Sequence, residues 1–385
     1  MRWGVLIGLA LVGLTGAATP GPTGPDPSPA NSPSSPVVAT PAATVLCTVT
    51  DPRVRGLGGL VATADGYVAV NDENSDPKKI EIFYLDHRCQ LVRALNYPSP
   101  ARDPEDLAVA ADGTLWIADT GDNLTTKADQ RRTSVALWKL APHSSTPVIF
   151  RLAYPDGPHD AEALLLADDG SPIIVTKELL APAGLYVPVG PLTADRPTPV
   201  AMRKVGSFSP YLTGTTNPFG VIGELMITGA GRSPDGRRVA LRTYSDAYEF
   251  TVTGGDIVSA ITTGTPQITA LPDEPQGEAV AYSTDGRQLL TLSDQRTGTT
   301  EIRAYPVAPP PVATAAPTSR AGPVVPAARD VRFVELAAGT AGLGLVLAAL
   351  GLASIRRSRR RTDAAHRGHD DADHTDDDAA DPAAS

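Results

Sequence analysis

Leu107-Ala-Val-Ala-Ala-Asp-Gly-Thr-Leu-Trp-Ile-Ala118 sets an Asp-Gly pair between two apolar runs. Asp-Gly supplies the backbone geometry of a tight hairpin, so this stretch reads as two antiparallel strands. The arrangement returns at Asp65-Gly66, Asp169-Gly170, Asp235-Gly236 and Asp285-Gly286. Its second clear copy is Ala279-Val-Ala-Tyr-Ser-Thr-Asp-Gly-Arg-Gln-Leu-Leu-Thr-Leu292.

Working outward, two further strands fit after each of the first three hairpins. They are Ile80 to Leu85 with Gln90 to Leu95, Val135 to Leu140 with Val148 to Ala153, and Leu185 to Val189 with Val200 to Val205. Four strands per unit at a period of about fifty residues is the pattern of propeller blades. The expected fold is therefore an all-β propeller over 44–305. The last unit has Glu278 to Tyr282, Gln288 to Leu292 and Glu301 to Tyr305, then meets Pro-rich sequence. It lacks an outer strand, and Thr44 to Val49 is a strand without a blade. Closing the ring with that N-terminal strand gives five blades; six is the rival count, because Gly206 to Glu224 has no clear place. The only two cysteines, Cys47 and Cys89, would then meet across the closure, and a disulfide is expected between them.

The flanks read differently. Arg2, the apolar run Val5 to Leu14 and Gly16-Ala17-Ala18 have the three parts of a secretory signal, residues 1–18. Pro/Thr/Ser-rich sequence over 19–43 reads as a disordered linker, and the Pro/Ala-rich stretch 306–333 as a stalk. Leu336 to Ile355 is twenty residues without a formal charge. As a helix it covers about 30 Å, the thickness of the hydrocarbon core. Five arginines within Arg356 to Arg361 place its far end in the cytoplasm. The expected topology is a single-pass membrane protein with a span over 334–355, the propeller outside, and a basic then acidic cytoplasmic tail over 356–385. That acidic tail contributes heavily to the net charge of −10, which therefore says little about the ring. His366, His369 and His374 in the tail read as part of a solvated acidic segment.

The chemistry-bearing residues gather at one end of the ring. Seven positions before the aspartates of the five Asp-Gly pairs stand Gly58, Glu105, Glu162, Thr228 and Glu278. These start the inner strand of each blade and should ring one mouth of the central channel. Asp103, Asp160 and Gln276 lie two residues earlier. The second strand returns to the same mouth with Asp72, Asp119, Lys177, Arg242 or Tyr244, and Asp294; Glu73, Asp122, Asn123 and Glu178 follow closely. Crowded carboxylates raise one another's pKa unless a cation is present. Either a hard divalent cation such as Ca²⁺ is held there, with Glu105, Glu162, Glu278 and Asp294 as ligands, or Lys177 and Arg242 neutralise a structural ring. His159, beside Asp160, is a candidate general base.

No nucleophile elbow, zinc-protease helix, phosphate loop or Cys/His cluster occurs, and nothing is basic enough for nucleic acid. Asp103-Pro-Glu-Asp-Leu-Ala-Val, Ile117-Ala-Asp-Thr-Gly-Asp-Asn, Asp160-Ala-Glu-Ala-Leu-Leu-Leu, Ile174-Val-Thr-Lys-Glu and Gln276-Gly-Glu-Ala-Val resemble a group of secreted or membrane-anchored bacterial β-propellers of WD40-like type. Ser233-Pro-Asp-Gly is similar to TolB-type repeats, and the layout resembles gluconolactonase and NHL-repeat propellers. The last resemblance implies a divalent metal at the channel mouth, held by acidic and amide side chains. Two functions follow as expectations. One is a cell-surface binding module for a small molecule, glycan or peptide; the alternative is a metal-assisted hydrolase acting on a lactone, ester or phosphate. A scaffold displayed on a stalk is the third.

Overall fold

The computed structural model describes residues 38–72, 77–123, 127–272, 274–294 and 299–307. The chain divides into Met1–Val312 and Ala313–Ser385, and the second unit lies wholly outside the described residues. So do the expected signal peptide, the linker up to residue 37, the stalk from 308, the span over 334–355 and the tail. Among the described residues no helix is long and apolar enough to cross a membrane.

The described chain opens with β1 (Val38–Ala39) and β2 (Thr44–Val49). Blade I is β3 (Leu57–Thr63), β4 (Gly66–Asn71), β5 (Glu81–Leu85) and β6 (Leu91–Asn96). Blade II is β7 (Pro104–Val109), β8 (Leu115–Asp119), β9 (Val135–Leu140) and β10 (Val148–Ala153). Blade III is β11 (Ala161–Leu166), β12 (Pro172–Thr176), β13 (Ala183–Pro188) and β14 (Val200–Phe208). Helix α1 (Val221–Leu225) precedes blade IV, formed by β15 (Ile227–Arg232), β16 (Arg238–Thr243), β17 (Asp246–Thr251) and β18 (Gln267–Ala270), with α2 (Ile257–Thr263) inserted before β18. Blade V is β19 (Gly277–Tyr282), β20 (Gln288–Ser293) and β21 (Thr300–Pro306).

Blade V takes its fourth strand from the N-terminus: β2 pairs antiparallel with β21 from Thr44↔Ala304 to Val49↔Thr300. The inner strands pack side by side in the cyclic order β3, β7, β11, β15, β19 and back to β3. The result is an all-β, propeller-like ring of five four-stranded sheets. Two extra pairings tie sheets at their outer edges. β1 adds a parallel fifth strand to blade IV, drawn from the expected linker, and β10 pairs parallel with β14 over Leu152↔Val200 and Ala153↔Ala201. The sequence reading contained neither of these, nor α2.

Each blade starts with the hairpin read from the sequence. The glycine of all five Asp-Gly pairs has positive φ, from 68° at Gly286 to 143° at Gly66. In four of them the aspartate also accepts a backbone N–H two residues on, as Asp112 does from Thr114 at 2.9 Å. That side-chain bond mimics a backbone turn and explains why Asp rather than another residue precedes the glycine.

The core lies between blades, in five apolar clusters. Leu57, Phe83, Leu290 and Ile302 pack blade V on blade I. Val70, Ile82, Ile117 and Trp138 join I to II, and Trp116, Leu164, Ile174 and Tyr186 join II to III. Val175, Leu185, Leu241 and Phe250 join III to IV, while Ala240, Val280, Leu289 and Tyr305 join IV to V. The second strand of a blade is covered on both faces, which is why such strands read as short continuous apolar runs. Cys47 on β2 is bonded to Cys89 in the β5–β6 turn, Cα to Cα 5.7 Å. The bridge joins the closing blade to the first.

Candidate cation site at the mouth of the ring

Every inner strand slips register once against its partner, and always at the same place. The slips fall between Leu57 and Gly59, Pro104 and Asp106, Ala161 and Ala163, Ile227 and Gly229, and Gly277 and Ala279. The bulged residues are therefore Gly58, Glu105, Glu162, Thr228 and Glu278. A bulge leaves one residue outside the ladder and re-aims its side chain. Repeated five times around a ring, it sets five residues at one end of the channel.

The strand ends meet there as the hairpin reading requires. Asp72 N donates to Gly56 O, Gly121 N to Asp103 O, Lys177 N to Asp160 O and Asp294 N to Gln276 O, at 2.8–3.1 Å. Glu105, Asp160 and Glu162 are all buried, and one carboxylate oxygen from each lies within 4.8 Å of the others. Gly121 makes room for this approach: any Cβ there would run into the carboxylates of Asp103 and Glu105.

One ammonium enters the group. Lys177 Nζ donates to Glu162 Oε1 and, at 2.7 Å, to the Tyr244 hydroxyl. Burial works against the Lys177 charge, but Glu162, Glu278, Tyr244 and Glu105 hold its pKa well above the usual value. Among the described residues nothing donates to Glu162 Oε2. Burial pushes Glu162 well above the ordinary carboxylate range, and Lys177 opposes the shift without cancelling it. No hydrogen-bond donor among the described residues reaches the Glu105 carboxylate. Burial, then Glu162, Asp103, Asp72 and Asp160, push its pKa well up. Asp160 accepts the Asp122 amide at 2.9 Å, and burial raises it against the pull of Lys177. Glu278 is pushed up to about 7 by burial, despite Lys177 and a 2.9 Å bond from Gln276 Nε2.

The remaining residues singled out from sequence have other surroundings. Asp119 accepts from the amides of Arg102 and Asp103, which hold the entrance to β7, and from Trp138 Nε1, and it is ion-paired with Arg132 at 3.0 Å. Arg242, fully buried, donates to Thr243 O and Ala279 O and pairs with Glu274 at 3.0 Å. Its place beside Lys177 is taken by Tyr244. Asp294 and Asp72 are buried at the same end, the former 3.3 Å from Gln276 Nε2. Glu73 lies outside the described residues.

His159 stands between Glu178 Oε1 at 2.9 Å and Asp156 Oδ1 at 3.1 Å, flanked by the rings of Tyr154 and Tyr186. The Glu178 bond, above all, raises its pKa.

Two loops leave the same end of the ring from blade III, residues 177–182 and 209–226, and carry an apolar rim. Leu180 is 84% exposed and Leu212 65%, with Phe219, Val221 and Ile222 also exposed. Phe219 packs its ring 4.4 Å from that of Tyr244, whose hydroxyl meets the Lys177 ammonium on Glu162. Composition alone could not have shown this rim, because the loop falls where the repeat is unreadable.

No family model and no curated protein matches the chain. Among solved structures it is similar to the glutaminyl cyclase of Myxococcus xanthus, at 13% identity and a TM-score of 0.42, over 71% of this chain and all of that one.

Proposed function

We propose that the chain is a binding module whose ring mouth holds a divalent cation, Ca²⁺ first, on Glu105, Asp160 and Glu162. Glu278 and Asp294 stand as the next carboxyl groups around it. The observation that carries the reading is the triad itself: three buried carboxyl groups at ligand spacing, with the Lys177 ammonium already given to Glu162 Oε1 and Tyr244. Carboxylate oxygens at adaptable distances are the donor set of a hard cation, and a single ion needs no large cavity. A bound ion would supply the charge that Glu105 and Glu162 Oε2 lack. The resemblance in layout to propellers with a divalent metal at the channel mouth agrees with this. Binding rather than catalysis is favoured by the rim of Leu180, Leu212, Phe219, Val221 and Ile222, which gives a small molecule, glycan or peptide apolar surface next to the ion.

The same reading places the ring outside the cell. The signal over 1–18, the stalk and the span over 334–355 would hold it on a tether, with the arginine cluster inside. Protease digestion of intact cells should remove the ring and spare the tail; loss of the tail alone would reverse that topology.

The cation is tested on the full-length protein. A ligand held a hundredfold above its Kd adds about 2.7 kcal/mol, which raises Tm by about 5–10 °C for a ring of this size. Ca²⁺ should give such a shift, chelator should remove it, and Glu105→Gln or Glu162→Gln should abolish it. An identical Tm with and without every divalent ion tried would sink the proposal. Turnover of a lactone, ester or phosphate by the loaded protein would replace binding with metal-assisted hydrolysis.

A further inference from the structure

One buried carboxyl group reaches across the inner strands of the ring. Asp106 follows the Glu105 bulge on β7 and is 0% exposed. In the other four inner strands the residue after the bulge is Gly59, Ala163, Gly229 or Ala279. Among these five positions only Asp106 carries a side chain that extends beyond Cβ, and it reaches across to two other inner strands. Its Oδ2 accepts the backbone N–H of Leu164 on β11 at 2.8 Å and of Ala230 on β15 at 3.2 Å. Its Oδ1 accepts the N–H of Leu107 at 2.8 Å.

Blades II and III share backbone hydrogen bonds only at their outer edge, between β10 and β14, and no inner strand is paired with another among the described residues. The spacing of Glu105 on β7 and Glu162 on β11 is therefore set by side chains that cross between blades. At the rim these are Thr120 Oγ1 to Ala161 O at 2.6 Å and the Asp122 amide to Asp160. One residue deeper it is Asp106, which also spans to blade IV. A residue at this place in the strand needs no charge: burying a carboxylate under other carboxylates costs free energy, and four blades manage with Gly or Ala. Its acceptor oxygens match amides that an apolar side chain would leave unpaired.

We propose that Asp106 is a positioning residue for the cation site, holding β7 and β11 at the separation that puts Glu105 and Glu162 at ligand distance. The inference rests on the cation reading above. Its test compares Ca²⁺ affinity, by calorimetry on the full-length protein well below the unfolding transition, with the Tm of the same variants without Ca²⁺.

Asp106→Asn can keep one oxygen in the place of Oδ2 and so both cross-blade bonds; its Kd should stay within about threefold of wild type. Asp106→Ala and Asp106→Ser reach neither amide, and either should weaken Ca²⁺ at least tenfold while leaving the folded ring intact. A folded Ala or Ser variant with wild-type affinity overturns the proposal, whatever its Tm, because a purely structural role would move Tm alone. A tenfold loss in Asp106→Asn also overturns it, since charge rather than position would then be what matters. A wild type that binds no divalent cation removes this inference together with the reading under it, whereas wild-type binding that survives Asp106→Ala removes this inference alone.

Discussion

Both ends of the inner hairpins carry acidic residues, and they treat them in opposite ways. At the turn end Asp112, Asp169, Asp235 and Asp285 are largely exposed, and each accepts a backbone amide two residues on. All four have pKa values held below the usual aspartate range, chiefly by hydrogen bonds to Thr114, Ser171, Ser233 and Ser283. At the mouth end Glu105, Glu162 and Glu278 are buried, and burial pushes them up. A carboxylate in water with an amide donor is content as an anion; one among other carboxylates in a dry channel is not. The abundance of acid therefore says nothing by itself about binding. What marks a site is acid for which the protein has not supplied enough donors.

The sharpest way to break the contrast is at a mouth-end pair that the protein has satisfied. Arg242 and Glu274 are 0% and 1% exposed at the side chain, and Thr291 and Tyr305 also donate to Glu274. Removing one partner of such a pair strands the other charge, at a cost of about 3–5 kcal/mol. Arg242→Met should lower Tm on the order of 10 °C in a thermal melt. The exposed pair Arg53–Asp51 is the control, and Arg53→Met should leave the melt unchanged. Equal effects would mean that burial does not separate the two kinds of acid in this ring.

Next in size is the covalent latch, which belongs to the turn end because Cys89 lies in the β5–β6 turn, where His87 Nε2 sits 3.1 Å from Ala64 O. The bridge closes a sequence separation of 42 residues. In the chain-entropy account such a closure is worth about 4 kcal/mol. Cys47→Ala with Cys89→Ala should lower the urea midpoint accordingly and leave Ca²⁺ affinity untouched, since the triad stands at the other end. A loss of affinity equal to the loss in Asp106→Ala would mean that the two ends are coupled and the comparison is too simple.

The turn end was the legible one. An Asp-Gly pair is a local signal, written in two adjacent residues, and five copies favour five blades and point to the N-terminal strand that closes the last one, although residues 206–224 leave six open. The mouth was legible only by counting. Seven residues back from each turn lands on Glu105, Glu162 and Glu278 because the bulge recurs at a constant distance, but nothing at those positions announces a bulge, which exists only relative to the paired strand. Where a side chain acts across blades, counting fails. Arg242, near the end of β16, and Tyr244, just past it, are two apart and read alike; only the course of the long guanidinium to Glu274 separates them. Asp106 stands in an Asp-Pro-Glu-Asp run and looks like one more mouth acid, although its partners are Leu164 and Ala230, 58 and 124 residues away. The loop carrying Leu212 and Phe219 has no repeat to count from.

The smallest effect is the most selective, because it lies in pH. Asp285 accepts from Ser283 Oγ at 2.6 Å and from the Arg287 amide at 3.1 Å, and the bond from Ser283, first, depresses its pKa. A carboxylate with a folded pKa below its unfolded value of about 3.9 contributes stability that is full above that value. The contribution fades as pH falls through the folded pKa. Asp285→Asn removes the titration and keeps an oxygen for the turn, so its Tm should differ from wild type above about pH 4 and converge on it in stronger acid. The mouth acids have the opposite sign, since burial raises their folded pKa values, so Glu105→Gln without divalent cation should melt above wild type at neutral pH and converge on it from above in acid. A Tm difference for Asp285→Asn that stays constant from pH 7 down into strong acid would show that the turn aspartate acts through its shape alone, and the electrostatic half of the comparison would fall.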